Sequence, residues 1–182
     1  LPLRAYIRAR RSNPVILWSN GWPWTTPARL ADRLEQRLER VASDAPRGVV
    51  HLVAMGEGGL ASLQALQRRP ELPVGKLVTI GAPLIAPRMG VFLPGGMRRY
   101  DGLGDPVVVP AHVLAVRSEG DNLVMPDESR PDPAAPGSGP AVETLASEGH
   151  LSTWYSVRTW RAVAAALWPA ESGEAAAPGP PS

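Results

Sequence analysis

Hydrophobic and polar residues run along this chain in blocks whose period switches between that of a helix and that of a strand. In LPLRAYIRARR, residues 1–11, Leu3, Tyr6 and Ile7 fall at helical spacing with Arg on the other side, and the SNP that follows stops the pattern. PVILW, residues 14–18, is a short unbroken apolar run of the kind that forms a buried strand. Thr26 and Pro27 then open a helix whose Leu30, Leu34, Leu38 and Val41 form one apolar stripe opposite a charged face. The blocks continue as strand 49–54, helix 59–69, strand 76–81, strand 112–117, strand 141–146 and helix 152–167. Strands alternating with helices predict an α/β fold, a mostly parallel sheet joined by right-handed crossovers with helices on both faces. Residues 1–168 read as one domain, in which 84–110, rich in Gly, Pro and Met, predict a small cap over the strand ends. Residues 126–140 read as a surface loop and 169–182 as a disordered tail, because neither holds enough apolar surface to fold.

Composition narrows the function classes. At 182 residues the chain is long enough to bury a core as one domain. No apolar run approaches the ~18 residues of a membrane span, so a soluble protein is expected. Nineteen basic residues against seventeen acidic leave a net charge of +2, and the arginines are interspersed with Glu and Asp, which gives no basic face for nucleic acid. The absence of Cys removes disulfides, thiolate catalysis and Cys-based zinc sites, and no His or carboxylate spacing predicts another metal site or a cofactor. No leader is visible, but the first residue is Leu, so a cytoplasmic protein and a secreted one processed from a longer precursor both remain open.

The most informative segment is VVHLVAMGEGGLASLQAL, residues 49–66: a strand, a tight glycine turn and a helix, with Gly56 at the apex. It resembles the nucleophile elbow of the α/β-hydrolase superfamily, in particular small bacterial lipase-like and esterase-like proteins whose elbow reads LVGHSMGG or LVAHSMGG. Laid on that pattern, Ala54 takes the first small position, Met55 follows, Gly56 stands where the family has Ser, and Gly58 with Gly59 closes the turn. KLVTIGAPLIAP (76–87) resembles the next strand and its loop, VLAVRSEGDNLVMP (113–126) the strand bearing the acid, and SEGHLSTW (147–154) the loop bearing the His. The resemblance therefore assigns the acid to Asp121, the base to His150 and the vacant nucleophile position to Gly56, in the family's order along the chain.

Relatives also imply a departure at the N-terminus. If residues 1–11 match the family's first helix and PVILWSNGW the strand after it, the preceding strand with its His-Gly oxyanion loop lies upstream of Leu1, and the fold is N-terminally shortened. The alternative makes PVILWSNG that strand itself, with Asn20-Gly21 in place of His-Gly. The order helix, stop, strand favours the first.

In a Ser-His-Asp site the hydroxyl attacks a carbonyl, His takes its proton and the acid fixes the imidazole. Without Ser there is no covalent step, and removing the nucleophile alone from a serine protease costs about 10⁶ in kcat. The turn itself tolerates the loss, since Gly occupies an elbow's backbone region without the strain of about 1–3 kcal/mol that a side chain brings. Glu57 takes the oxyanion-donor position, where relatives more often carry Met or Gln. A carboxylate about 5 Å from a developing oxyanion costs roughly 3 kcal/mol at an effective dielectric of about 20, so Glu57 reads as drift or as a new polar contact.

Other readings of these residues compete. Gly56, Gly58 and Ala61 satisfy G-x-G-x-x-A, but the next strand ends in KLVTIGAP without the acidic residue a dinucleotide ribose needs. Asp121 in SEGDN is also good turn chemistry, and His150 is also a neighbour of a helix start. His51 and His112 read as structural. Trp22 and Trp24, with Met55, would line an apolar ligand wall or partner surface, against the plainer reading of core packing. The resemblance thus implies a non-catalytic relative that binds an apolar or acyl molecule, or a protein partner, through the old cleft. The alternatives are a carboxylic-ester hydrolase carrying Gly in place of Ser, and direct activation of water by His150 and Asp121.

Overall fold

The computed structural model describes residues 2–10, 14–19, 27–84, 91–93, 96–98, 112–129, 141–145 and 147–169. Its elements are α1 (Pro2–Arg8), α2 (Pro27–Ser43), β1 (Val50–Met55), α3 (Glu57–Arg68), β2 (Val74–Ile80), β3 (Val91–Leu93), β4 (Gly96–Arg98), β5 (Val113–Ser118), β6 (Ala141–Leu145), a 3₁₀ turn (Ser152–Tyr155) and α4 (Val157–Leu167). Strands β1, β2, β5 and β6 form one sheet in that order, every pair parallel. Strands β3 and β4 form a separate antiparallel hairpin within the segment expected as a cap.

The strand sequences are apolar at successive positions because both faces of the sheet are covered. Toward one face, Leu52, Ala54, Leu77, Val113 and Ala115 meet Leu34 and Leu38 of α2 and Leu60, Leu63 and Leu66 of α3. Toward the other, Val53, Val78, Ile80, Leu114 and Val116 meet Leu3 and Ile7 of α1 and Val163 and Leu167 of α4. Fully burying a Leu, Ile or Val side chain contributes about 1.5–3 kcal/mol. Helices α1 and α4 are further joined by Tyr6 and Trp160, whose ring centroids are 5.5 Å apart. Lys76 of β2 donates to the Ala166 carbonyl at 2.6 Å, placing a cation at the C-terminal end of α4.

Two expectations from the sequence are corrected. Residues 14–19 form no strand: Val15 packs against the α1/α4 core, but Ile16, Leu17 and Trp18 are 54%, 47% and 38% exposed. A strand exists only by hydrogen bonding to a neighbour, and among the described residues β1 pairs with β2 alone. The expected helix 152–167 is divided, a 3₁₀ turn followed by α4, because Ser156 takes an extended backbone (φ −75°, ψ 126°) and caps α4 by accepting from the Arg158 N–H. The Asn20-Gly21 pair, Trp22 and Trp24 lie outside the described residues, as do most of 84–110, 130–140 and 170–182. No described helix is long and apolar enough to cross a membrane.

Candidate functional site

The four parallel strands deliver their C-terminal ends to one edge of the sheet, where the chain leaves each of them in a loop. The ladder continues just past the strands: Gly56 N–H donates to the Ile80 carbonyl at 3.0 Å, Gly81 N–H to Val116 at 2.9 Å and Glu119 N–H to Leu145 at 3.0 Å. Three of the residues singled out from the sequence, Gly56, Asp121 and His150, come from three different loops and meet there.

Gly56 sits between β1 and α3 with φ 52° and ψ −126°, a conformation that side chains other than hydrogen rarely adopt. Its carbonyl accepts the first amide bond of the helix, from Gly59 at 3.0 Å. A β-carbon built on Gly56 would lie 3.6 Å from His150 Nε2 and 4.0 Å from Cε1. Met55 before it and Glu57 after it are both half-buried. Glu57 opens α3, where a carboxylate favours the positive end of the helix by about 0.3–1 kcal/mol, a structural reason for Glu at this position.

Asp121 and His150 form a pair, Oδ2 to Nδ1 at 2.7 Å, with side chains only 1% and 12% exposed. The other carboxylate oxygen accepts the N–H of Leu123 and of Val124, each at 2.9 Å. Burial by itself would raise the Asp121 pKa, but the hydrogen bonds from His150, Val124 and Leu123 together with the attraction of the imidazole outweigh it, and the carboxyl is held below its ordinary value. An ionised carboxylate only accepts, so Nδ1 donates in this bond, and in the neutral imidazole that makes Nε2, on the Gly56 side, the acceptor.

Residues to which the sequence reading gave no role hold this pair in place. Gly81, in the left-handed region at φ 53°, ends β2 against it: a β-carbon there would sit 3.0 Å from Asp121 Oδ2 and 3.1 Å from His150 Nδ1 and Cε1. Ser118, fully buried at the end of β5, donates to the Glu148 carbonyl at 2.6 Å and accepts the Glu148 N–H at 3.0 Å. The acid and base loops also touch directly, since a β-carbon on Gly120 would lie 2.7 Å from the Ser147 carbonyl carbon. Glu148 Oε1 accepts from the Ser156 hydroxyl at 2.6 Å, tying the His loop to the cap of α4. Thr153 donates its hydroxyl to the His150 carbonyl at 2.6 Å. The advance signal was the Gly that closes the expected strand 76–81 before its loop; the roles of Ser118 and Glu148 depend on contacts 30 residues apart in sequence.

Of the other residues considered, Ser62 is spent inside α3, its hydroxyl donating to the Gly58 carbonyl at 2.7 Å. His51 lies on the exposed edge of β1, its pKa lowered by partial burial and by Lys76. Among the described residues no group of three or more His, Asp or Glu side chains could hold a metal ion.

No protein-family model and no curated protein matches the sequence. Solved structures do match the architecture. A monoacylglycerol lipase from Paleococcus ferrophilus superposes with a TM-score of 0.56 at 12% identity, over 79% of this chain and 75% of that one. A serine hydrolase without a lid from Xanthomonas campestris gives 0.54 at 17% identity, over 86% of this chain and 62% of that one. A hydrolase-like protein of unknown function from Agrobacterium tumefaciens gives 0.55 at 16%, over 91% and 75%. The chain has the α/β-hydrolase fold. It spans about three fifths of the length of the Xanthomonas hydrolase and three quarters of the other two. In an α/β-hydrolase fold, the C-terminal ends of the parallel strands are where loops converge to form a binding crevice, and that is where Gly56, Asp121 and His150 meet.

Proposed function

We propose that this chain is a lipase- or esterase-like α/β-hydrolase relative whose cleft receives an apolar or acyl ligand and which, with Gly56 at the nucleophile position, forms no acyl-enzyme. In this reading the β1–α3 turn is a nucleophile elbow, Asp121 and His150 are its acid and base, and Met55 faces the ligand. The observation that carries it is the 3.6 Å from His150 Nε2 to the place of a β-carbon on Gly56. A hydroxyl one bond beyond that carbon, in a rotamer turned toward the ring, comes within the ~2.6–3.2 Å reach of a general base. The chain as written offers no hydroxyl there, so the covalent route of the triad is closed.

The second reading, a carboxylic-ester hydrolase, is favoured by the completeness of the acid–base pair. A buried carboxylate with both oxygens bonded and an imidazole aimed at position 56 is more than packing requires.

Both readings are tested by a fluorophosphonate probe and by short p-nitrophenyl esters. The expected outcome is no covalent labelling and no pre-steady-state burst; stoichiometric labelling of a serine in the unaltered chain would overturn the proposal. A thermal-shift series with fatty acids tests the ligand. At a ligand concentration of about 100 Kd the folded state gains roughly 2.7 kcal/mol, and a flat response across chain lengths would replace the acyl ligand by a protein partner.

A further inference from the structure

We propose that the layer formed by α1 and α4 is a docking face for a lipid surface rich in anionic phospholipid headgroups, bound through arginines and exposed apolar side chains. The face lies on the flank of the sheet, so the inference does not depend on any reading of the strand-end cleft. Along the sequence the arginines are interspersed with carboxylates, and folding sorts them. On the α2/α3 side the two signs meet: Arg68 pairs with Asp32 at 2.9 Å and with Glu35 at 2.6 Å, and Arg69 with Glu39 at 2.7 Å and with Glu71 at 2.8 Å. Helices α1 and α4 carry Arg4, Arg8, Arg158 and Arg161 and no carboxylate, and Arg10 follows α1. Among the described residues none of these arginines forms an ion pair. Arg10 instead stacks on Tyr6, 3.7 Å from the ring centroid. The described segments flanking α4 contribute Glu143, exposed on β6, and Glu148, whose Oε1 is taken by the Ser156 hydroxyl.

Packing turns the charges outward. Leu3 and Ile7 of α1 and Val163 and Leu167 of α4 are buried against the sheet, and the Tyr6 and Trp160 rings join the two helices side by side. Helical spacing then puts Val157, Arg158 and Arg161 on the side of α4 turned from the sheet, and all three are exposed, as are Arg8 and Arg10. Apolar side chains stand among these cations: Val157 is 47% exposed and Tyr155, two residues before it, 59%. Ile16, Leu17 and Trp18, whose neighbour Val15 packs on the same layer, are exposed as well. Cations alone would suit any polyanion, but the phosphate backbone of a nucleic acid offers exposed Val and Leu side chains nothing. A lipid surface takes both kinds of group, the guanidinium heads at the phosphates and the apolar side chains, with the arginine stems, at the headgroup–acyl boundary. A Tyr ring is likewise at home at that level.

The unaltered full chain would be sedimented with sucrose-loaded vesicles of phosphatidylcholine alone and of phosphatidylcholine with about one third phosphatidylserine. Expected is binding to the anionic vesicles, little to the neutral ones, and a steep loss between about 0.05 and 0.5 M salt as the charges are screened. Each arginine near an anionic surface strengthens partitioning about fivefold, so Arg158→Gln with Arg161→Gln should weaken it about 25-fold. Arg33→Gln with Arg37→Gln, the same change of net charge on α2, should leave it unaltered. Tyr155→Ser with Val157→Ser should weaken vesicle binding at unchanged charge. All these positions are at the surface, and melting profiles check that each variant folds as the parent does. Equal binding to both kinds of vesicle, or to neither, overturns the proposal. Equal losses from the two arginine pairs would mean that net charge alone is read, and would overturn it too. A DNA duplex held through Arg158 and Arg161 more tightly than the anionic vesicles, with no effect of Tyr155→Ser and Val157→Ser, would assign the face to a polynucleotide instead.

Discussion

The Ser118 hydroxyl grips the backbone of Glu148 from both sides, donating to its carbonyl at 2.6 Å and accepting its N–H at 3.0 Å. These two bonds fasten the loop that carries His150 to the end of the strand that leads to Asp121. Ser118→Ala leaves a buried amide and carbonyl without their partner, a cost of about 1–3 kcal/mol. Chemical denaturation should show that loss. In a Gly56→Ser background the same change should slow fluorophosphonate labelling by more than the loss of folded protein explains, because the imidazole is no longer held at its distance. Equal labelling rates would mean that His150 is placed by Asp121 alone.

Restoring the hydroxyl has opposite consequences for stability and reactivity. Gly56→Ser puts a side chain at φ 52° and ψ −126°, which should destabilise by about 1–3 kcal/mol, while creating a site for labelling and a burst with activated esters. Adding Glu57→Met should raise the labelling rate further, by a few-fold to about 10²-fold as the repulsion at the oxyanion is removed. It should also cost about 0.3–1 kcal/mol by removing the carboxylate from the first turn of α3. Urea melts and stopped-flow labelling on the unaltered chain, Gly56→Ser and the double variant decide both parts.

Gly81→Ala should damage the site from beneath the pair. The new methyl would stand 3.0 Å from Asp121 Oδ2 and 3.1 Å from the His150 ring, at a positive φ as well, so a loss of more than about 1 kcal/mol is expected. In the Gly56→Ser background labelling should fall with it. A variant as stable and as reactive as its parent would show that the pair has slack.

Asp121 sets the acid limb of stability. Its folded pKa is lowered, since its bonds to His150, Val124 and Leu123 outweigh burial. The stabilisation it contributes is therefore fully present above the unfolded value and is lost as pH falls through the folded one. Urea midpoints of the unaltered chain should change little because of this group between about pH 7 and 5 and should fall below about pH 4. Asp121→Asn should start less stable at neutral pH and show a shallower acid limb. Parallel limbs in the two proteins would assign the acid sensitivity to other groups.

The sequence by itself determined the alternation of helices and sheet strands from residue 27 onward and the two-faced apolar character of those strands. Leu77 and Val78 are adjacent in sequence and both fully buried, on opposite faces, and only a sheet covered on both sides gives such neighbours the same hydrophobicity. It also singled out Gly56, Asp121 and His150, which the fold brings together, because each stands directly after a strand or in a loop between regular elements, where local pattern and family resemblance are both legible. What the sequence misplaced were features that depend on a partner elsewhere in the chain. PVILW has the composition of a buried strand, but a strand needs a neighbour to hydrogen-bond, and among the described residues no strand of the sheet pairs with 14–18. The helix expected from residue 152 begins at Val157, because Ser156 bonds both the Arg158 amide and the Glu148 carboxylate. Only the tertiary structure decided the 2.7 Å pairing of Asp121 with His150 and the closeness of Gly81 to both. It likewise decided the grip of Ser118 on Glu148, since hydrogen bonds and steric contacts act through space and leave no periodicity along the chain.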